Sequence, residues 1–444
     1  MFSDIIGRLF YGAYNDAFIS ACYADFMDPA AHAIGIAGLF LSGLLCFLVA
    51  ERHRTIGRAL MAGWVLRALF CLYNTYVSTF NVDGFEEWAA VASAFPFSEL
   101  MTDWGNSQSY TIFCAGIYKI GGRNPLLLQV INIIVWISVM GGIPKLARNL
   151  GINSKPERIT AWLYAVLPAA VFFSTVILRE SICTIGIVYG FVSLARALSN
   201  RTVRDYVMSA GWFLFASVFH YGCVVLLLAV AILPLLNFSD GRRDGLRGLW
   251  FRAGITAGAL ILCGLLFQLG LFERLAPRFA GDNLTVEGMG TASERGDLGR
   301  TDYSQGLLPE STGGLILTAP VRLALFLITP LPWMVRKMID IVAFLDAVVF
   351  WLTIYWLIRA RRTVWRDRRL MSVLFCCLGG LFVFSMGTFN FGTAVRHRSK
   401  FLPVIITAAC VAYEGSRRKP NRSLREFAVA GPRRLSPRRN SPVS

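Results

Sequence analysis

Long apolar stretches recur along the whole chain and are separated by short segments rich in arginine and lysine. A helix needs roughly 20 apolar residues to cross the hydrocarbon core of a bilayer, and a backbone inside that core must satisfy its own hydrogen bonds. The pattern therefore predicts an all-α polytopic membrane protein, in agreement with 55% hydrophobic and 16% charged residues among 444. Eleven spans are predicted, near residues 32–50, 59–79, 125–143, 159–178, 181–198, 205–218, 219–237, 250–271, 339–358, 370–388 and 398–414.

The basic residues predict the orientation of these spans. Most of the 44 lysines and arginines lie in alternate short segments and in the tail, and cytoplasmic segments carry the excess of such residues. The N-terminus is therefore expected outside and the C-terminus in the cytoplasm. Three regions follow: an outer segment 1–31, a transmembrane domain 32–414 and a basic tail 415–444. The tail is expected to be disordered and to lie near anionic lipid rather than to bind nucleic acid.

Two apolar segments do not fit as ordinary spans. Residues 109–122 are too few to cross, and residues 319–333 contain Arg322 and three prolines. Both are expected to form helices in or dipping into the outer leaflet. A plain twelfth span is the alternative for the second segment.

The ten cysteines lie mostly inside the apolar stretches, and none belongs to a Cys-x-x-Cys pair. They are expected to be small core residues, with neither a disulfide framework nor a zinc site.

Three carboxylates follow the second span in the stretch "NVDGFEEWA": Asp83, Glu86 and Glu87. Asp83 and Glu87 have the i, i+4 spacing that places two side chains on one face of a helix. Two close carboxylates shift one another's pKa, so that one can accept a proton from a hydroxyl group. The alternative is structural, with Asp83 as the N-cap of a helix that starts at Gly84.

A run of cations near the end of the chain is expected on the same outer side. The run consists of Arg396, His397, Arg398 and Lys400. Arginine matches phosphate geometry bidentately, and lysine acts as a point charge. The run therefore predicts a phosphate site, and the alternative is snorkelling of these side chains to lipid phosphates.

Arg179 and Arg322 are two further outer cations. Arg179 and Glu180 are expected at the turn between the fourth and fifth spans, where an ion pair that closes the hairpin is the structural alternative. Arg322 lies within an apolar segment, where ionisable residues are costly and usually functional. The lone His220 is expected to be packed rather than functional.

Several segments carry a resemblance to a known class of enzymes. Residues 109–151, beginning "SYTIFCAGIYKIGG", precede "RITAWLYAVLPAAVFFSTVILRE". This part resembles the GT-C class of integral-membrane glycosyltransferases, which use lipid-linked sugar donors, and looks like the bacterial dolichyl-phosphate-mannose-type and aminoarabinose-type transferases. The later segments "PVRLALFLITPLPW" and "GTAVRHRSKFLP" are similar to bacterial polysaccharide-assembly proteins, including polymerases.

The resemblance implies a GT-C-like fold and an activity. A sugar or short glycan would pass from a polyprenyl phosphate or diphosphate to a glycan or lipid acceptor at the outer face of a bacterial inner membrane. Asp83 would correspond to the acid of the first outer loop and act as the base, with Glu86 or Glu87 orienting it or a divalent cation. The phosphate would be held by the cation run, helped by Arg179 and Arg322.

Two alternatives stay open at the level of sequence. The same chemistry applied to a whole repeat unit would make the protein a polysaccharide polymerase. Alternatively, a lipid-linked oligosaccharide flippase, or another transporter, would move its substrate across the membrane without making or breaking a covalent bond. The chain has no internal repeat of the kind common in transporters, and its expected charged groups gather on one face, which favours the enzyme.

Overall fold

The structure is a computed structural model of the chain. It describes residues 29–77, 84–96, 98, 106–151, 154–200, 202–236, 254, 257–258, 301–303 and 312–417. The predicted outer segment, the span near 250–271 and the basic tail therefore lie wholly or mostly outside the described residues. Asp83 lies outside them as well.

The described chain is helical, and its β-structure is limited to one isolated bridge between Asp302 and Asn390. The α-helices are α1 (Pro29–Arg52), α2 (Arg54–Tyr76), α3 (Phe85–Ser93), α4 (Asn106–Gly121), α5 (Pro125–Asn149), α6 (Lys155–Val166), α7 (Pro168–Phe173), α8 (Glu180–Asn200), α9 (Val203–Phe219), α10 (Val225–Leu236), α11 (Thr312–Ile328), α12 (Met338–Arg359), α13 (Arg361–Arg366), α14 (Arg368–Met386), α15 (Phe391–Ser399) and α16 (Leu402–Arg417). This confirms the all-α membrane class.

Six described helices are long and apolar enough to cross a membrane: α1, α2, α5, α8, α12 and α14. Each coincides with a predicted span. The predicted segments 205–218 and 219–237 contain α9 and α10, which have 17 and 12 residues. The total of eleven spans and the orientation of the termini stay predictions.

The predicted span 159–178 is wrong as a single helix. Leu167 is extended, and it separates α6 from the short α7. Pro168 follows it and has no N–H to donate to the carbonyl oxygen of Tyr164, four residues earlier. The chain therefore breaks in the middle of an apolar stretch, and the freed carbonyl groups need other donors.

Arg67 of α2 supplies those donors. Its Nη1 donates to the carbonyl oxygen of Ala165 at 2.8 Å, its Nη2 approaches that of Tyr164 at 3.5 Å, and its Nε donates to the Ser174 hydroxyl at 2.7 Å. The guanidinium also lies 3.8 Å from the centre of the Trp136 ring. Arg67 lies within the predicted span 59–79, and its side chain joins the two sides of the break.

The last predicted span, 398–414, begins too early. Its helix is α16, which starts at Leu402, whereas Arg398 belongs to the preceding helix α15. Residues 402–412 are all buried, and α16 packs against α5, α6, α12 and α14. It is therefore a central helix of the described fold, and α15 leads into it.

The start of α15 is held by two local devices. The Asn390 side chain accepts a hydrogen bond from the Thr393 backbone N–H at 2.8 Å, which caps the helix. Thr301 and Tyr303 exchange backbone hydrogen bonds with Phe391 and Phe389 at 3.0 and 3.1 Å. The described segment 301–303 is thus joined to the start of the helix that carries the cation run.

The eight described cysteines are free and buried. This agrees with the prediction of core residues for this part of the chain.

Replacement of Arg67 tests whether it stabilises the break. Arg67→Met should lower the midpoint of thermal unfolding in detergent, because each buried polar group left unsatisfied costs roughly 1–3 kcal/mol. Arg58→Met removes an exposed arginine of the same helix and should leave the midpoint unchanged. Equal midpoints for both variants would contradict a structural role of Arg67.

Candidate functional site

Helix α15 carries its cations to two different partners. Residues two apart on a helix do not face each other, so Arg396 and Arg398 leave α15 on different sides. Arg396 reaches Glu180 at the start of α8, and Arg398 reaches Asp346 of α12. The predicted run of cations is therefore divided between two buried carboxylates.

Glu180 is the centre of the first group. It is 1% exposed, and its Oε1 accepts a hydrogen bond from Arg396 Nε at 2.6 Å and lies 3.4 Å from Lys400 Nζ. Arg396 and Lys400 are four residues apart, which places both on one side of the chain. The carboxylate at the N-terminus of α8 and the cation in the last turn of α15 both have the sign that the helix dipoles favour.

His397 joins this group through Lys400. Lys400 Nζ lies 2.8 Å from His397 Nδ1. An ammonium group has donors and no acceptor, so Nδ1 accepts, and the proton of the neutral ring is on Nε2. The ring of buried His220 lies 5.2 Å from that of His397, and both contact Phe384. His220 is packed, as expected.

Arg179 completes the group, which we call the Glu180 cluster: Arg179, Glu180, Arg396, His397 and Lys400. Arg179 Nη1 donates to the carbonyl oxygen of Phe219 at 3.2 Å, directly before His220. The predicted Arg179–Glu180 hairpin pair is replaced by pairing of Glu180 with residues more than 200 positions later.

The cluster has a buried floor and a more accessible rim. Glu180 and Lys400 are buried, whereas Arg179, Arg396 and His397 are partly exposed. Among the described residues of this cluster, positive charge exceeds negative charge, because Glu180 contacts Arg396 and Lys400 and follows Arg179. Buried charge is costly unless it is compensated. The Glu180 Oε2 atom is also buried without a hydrogen-bond partner among the described residues. The arrangement can accept an anion at its rim, and phosphate fits the arginine geometry.

Arg398 belongs to a different, closed network. Its Nε and Nη2 donate to Asp346 Oδ2 at 3.2 and 2.9 Å, and its Nη1 donates to the carbonyl oxygens of Phe326 and Thr329 at 2.7 Å each. Both side chains of the ion pair are 0% exposed. Every guanidinium nitrogen of Arg398 thus has a protein partner, so the predicted contact of Arg398 with a phosphate does not fit this geometry.

Arg322 is buried near the end of α14. Its Nη2 donates to the carbonyl oxygen of Met386 at 2.7 Å, and its guanidinium lies 5.1 Å from the Phe389 ring centre. Its Nε and Nη1 have no hydrogen-bond partner among the described residues. The structure joins Arg322 to the α14–α15 connection and shows no hydrogen bond or ion pair between it and Glu180.

The early carboxylates differ from the expected pair. The helix begins at Phe85, and its N-cap is Gly84 with φ of +65°, a left-handed conformation suited to glycine. The helix thus starts one residue later than expected. Both predictions for Asp83, the shared helix face with Glu87 and the N-cap, lie outside the described residues. Glu87 is exposed.

Glu86 lies in a structural contact. Arg123 Nε and Nη2 donate to its two carboxylate oxygens at 3.0 and 3.1 Å, and the Tyr118 hydroxyl donates to Oε1 at 3.1 Å. Burial, and then the Glu86 charge, raise the pKa of Tyr118 well above its usual value, so the phenol keeps its proton. Glu86 therefore fastens α3 to the end of α4 and the loop after it.

Helix α3 nevertheless lies beside the cluster. The Arg179 guanidinium is 6.0 Å from the centre of the Phe85 ring, and Phe85 directly follows Gly84. The chain at the start of α3 thus approaches the rim, two residues after Asp83. In the part of the chain that the structure describes, no group of three or more His, Cys, Asp or Glu side chains is arranged to hold a metal ion.

The sequence analysis did not identify Asp346 as the partner of Arg398, and it considered Glu180 only as the partner of Arg179. The available signal for Asp346 was an acidic residue within the apolar stretch "MIDIVAFLDAVVFW", because such residues inside a membrane segment usually pair with another charge. The identity of the partner could not be read from the spacing, since Arg398 lies 52 residues away.

The fold and the cluster define a class: an all-helical membrane protein with a buried, predominantly cationic site. Comparison with known proteins gives no family, because no protein-family model, curated protein or solved structure matches the chain.

Replacement of Asp346 and Arg398 tests the closed network. Asp346→Ala should lower the thermal midpoint strongly, because removal of one partner from a buried ion pair costs about 3–5 kcal/mol. The double variant Asp346→Leu/Arg398→Met removes both charges and should recover part of that loss. A double variant as unstable as the sum of its single variants would show that the two side chains do not interact.

Proposed function

We propose that the protein is a membrane glycosyltransferase and that the Glu180 cluster binds the phosphate of a polyprenyl-linked sugar donor. One observation carries the proposal: the buried Glu180 carboxylate at one end of a membrane-length helix is contacted by two cations, Arg396 and Lys400, and directly follows a third, Arg179. A donor phosphate would compensate the excess positive charge. The polyprenyl chain would remain in the bilayer while its phosphate lies at the membrane edge.

Within this proposal each residue of the cluster has its own role. Arg396 and Arg179 are the rim guanidinium groups that bind phosphate oxygens, and Lys400 supplies a fixed positive charge below them. His397 presents Nε2–H, which donates a hydrogen bond to the phosphate. Glu180 is a positioning residue, since it orients Arg396 and Lys400. Arg398 supports α15 from the other side and is left out of the phosphate site.

The proposed reaction is a displacement at the sugar carbon bonded to the phosphate. An acceptor hydroxyl oxygen attacks that carbon and forms the new glycosidic bond. The bond between the carbon and the phosphate oxygen breaks, and its electron pair stays on the phosphate, where the cations stabilise the charge. Asp83 takes the hydroxyl proton. The contact of Arg179 with Phe85 supports this role, because it brings the chain near Asp83 to the rim.

The proposal places the reaction at the outer face of a bacterial inner membrane, in the synthesis of surface polysaccharide or glycolipid. Support comes from the distribution of charge along two helices. Helix α8 begins at Glu180 and α14 ends at Met386, whereas their other ends lie among the arginine-rich segments assigned to the cytoplasm.

Arg396→Lys tests phosphate binding. A charge-assisted hydrogen bond is worth roughly 1.5–3 kcal/mol, and an ammonium group cannot reproduce a guanidinium contact. We therefore expect the variant to bind a short-chain polyprenyl phosphate about 10-fold to 100-fold more weakly in a titration of purified protein.

The matched control is Arg361→Lys, which changes an exposed arginine in an arginine-rich segment assigned to the cytoplasm. It should bind the same ligand like the wild type. Equal binding curves for all three proteins would mean that Arg396 anchors the fold or the lipid and that the donor phosphate is held elsewhere.

Asp83→Asn tests the proposed base. The amide keeps the shape of the side chain but accepts no proton, so transfer should fall by ~10²-fold or more. The readout is a mass-spectrometric comparison of envelope glycans in cells that carry the wild-type gene, no gene or the variant. Asp83→Ser should be equally inactive at normal protein levels. Normal glycans with both variants would exclude Asp83 as the base.

A further inference from the structure

A second charged site lies where α8, α13 and α14 meet. The structure has a cavity of about 620 Å³ there. Its lining consists of Leu198, Ser199, Thr363, Arg366, Asp367, Arg368 and Arg369. This arginine cavity contains three guanidinium groups, one carboxylate and two hydroxyl groups.

Arg369 and Asp367 form a fixed wall of the arginine cavity. Arg369 Nη2 donates to Asp367 Oδ2 at 3.2 Å, and its Nη1 donates to the carbonyl oxygen of Asn149 at 3.2 Å and to the Ser199 hydroxyl at 3.4 Å. Asp367 also caps α14 by accepting from the backbone N–H groups of Arg369 and Leu370. These contacts join the ends of α5 and α8 to the start of α14.

Among the described residues that line the arginine cavity, positive charge exceeds negative charge. Asp367 pairs with Arg369, and the side chains of Arg366 and Arg368 are exposed. Guanidinium groups and hydroxyl donors around one space are the ligands that phosphate oxygens prefer. The lining therefore fits an anionic phosphate group.

An apolar stripe of α14 leads away from the arginine cavity. Phe375 is 66% exposed, and Leu378 and Phe382 are 45% and 40% exposed. Phe375 and Phe382 follow Arg368 at intervals of seven residues, which keeps them on about the same helix face. Since α14 is long and apolar enough to cross a membrane, this stripe is where an acyl chain would lie.

Trp365 marks the membrane boundary beside the arginine cavity. Its side chain is 74% exposed, directly before Arg366. Tryptophan is enriched at the interface between membrane and water, where its ring sits at the headgroup level. The cavity thus lies at headgroup height, with the apolar stripe below it.

We propose that the arginine cavity binds the phosphate headgroup of an anionic phospholipid, whose acyl chains lie along the stripe of α14. The site is separate from the Glu180 cluster. Helix α8 has Glu180 at one end and Asn200 at the other, and its 21 residues at 1.5 Å each span about 31 Å. The proposal therefore does not depend on glycosyl transfer.

Native mass spectrometry of the purified full-length protein tests the proposal. The probes are phosphatidylglycerol and phosphatidylcholine, each added in the same detergent. We expect wild-type protein to retain phosphatidylglycerol, and the double variant Arg366→Gln/Arg368→Gln to retain at least about 10-fold less, as for the loss of one charge-assisted hydrogen bond. The matched control, Arg361→Gln/Arg362→Gln, removes the same charge from exposed positions of the same segment and should behave like the wild type.

A second variant separates lipid from free phosphate. Phe375→Asn should weaken retention of phosphatidylglycerol, because it places a polar group on the stripe. It should leave any binding of inorganic phosphate unchanged.

Three results would overturn the proposal. Equal losses in both double variants would show a diffuse charge effect, and equal retention of the two lipids would show no headgroup preference. Inorganic phosphate that displaces the lipid from wild type and from Phe375→Asn at the same concentration would show that the stripe contributes nothing and that the site recognises only the phosphate group.

Discussion

The described fold depends on two buried carboxylates that hold helix α15 from different sides. Glu180 contacts Arg396 and Lys400, and Asp346 contacts Arg398. In a low-dielectric interior a charge without a partner is far more costly than in water. Each pairing therefore fixes one side of α15, and together they set the rotation of the helix about its axis. The position of the partly exposed groups at the rim follows from this constraint.

The ion pairs of Glu180 and Asp346 have different consequences because protein groups satisfy their hydrogen-bonding atoms to different extents. The guanidinium of Arg398 is satisfied on all its nitrogens by Asp346 and two backbone carbonyl oxygens, so it has nothing left to offer a ligand. Among its described residues the Glu180 cluster has more positive than negative charge, and its rim is partly exposed. A closed network stabilises a helix, whereas an incompletely compensated one can exchange its partners for a ligand. This difference separates Arg398, which supports the helix, from the proposed ligand-binding residues Arg396 and Lys400.

The break between α6 and α7 is the second feature that shapes the site. The extended Leu167 ends α6, and the guanidinium of Arg67 donates to the carbonyl groups at the break. The chain then reaches Glu180 as the first, buried residue of α8. Buried Arg67 of α2 has no carboxylate partner among the described residues. It thus helps to place a carboxylate more than a hundred residues later.

The sequence by itself determined the membrane class, the all-α fold and the six membrane-length helices of the described residues. These properties depend on the number of consecutive apolar residues, because a helix must be long and apolar enough to cross the hydrocarbon core of the bilayer. It also predicted that Arg396, Lys400 and Arg179 bind phosphate, in addition to any effect on the orientation of the spans. Asp83, the predicted base, lies outside the described residues, and the roles of all these side chains in catalysis stay predictions.

Only the tertiary structure decided which charges meet. The pairs Arg396–Glu180 and Arg398–Asp346 are 216 and 52 residues apart in the chain, and no local pattern specifies a partner at such distances. Glu86 was expected at a catalytic site, but its two oxygens are held by Arg123. A single sequence shows that a charge within an apolar segment needs a partner. The free-energy cost of burying that charge depends on the residue and its apolar neighbours in the chain. The side chain that compensates it is decided by helix packing, which brings distant residues within hydrogen-bond distance.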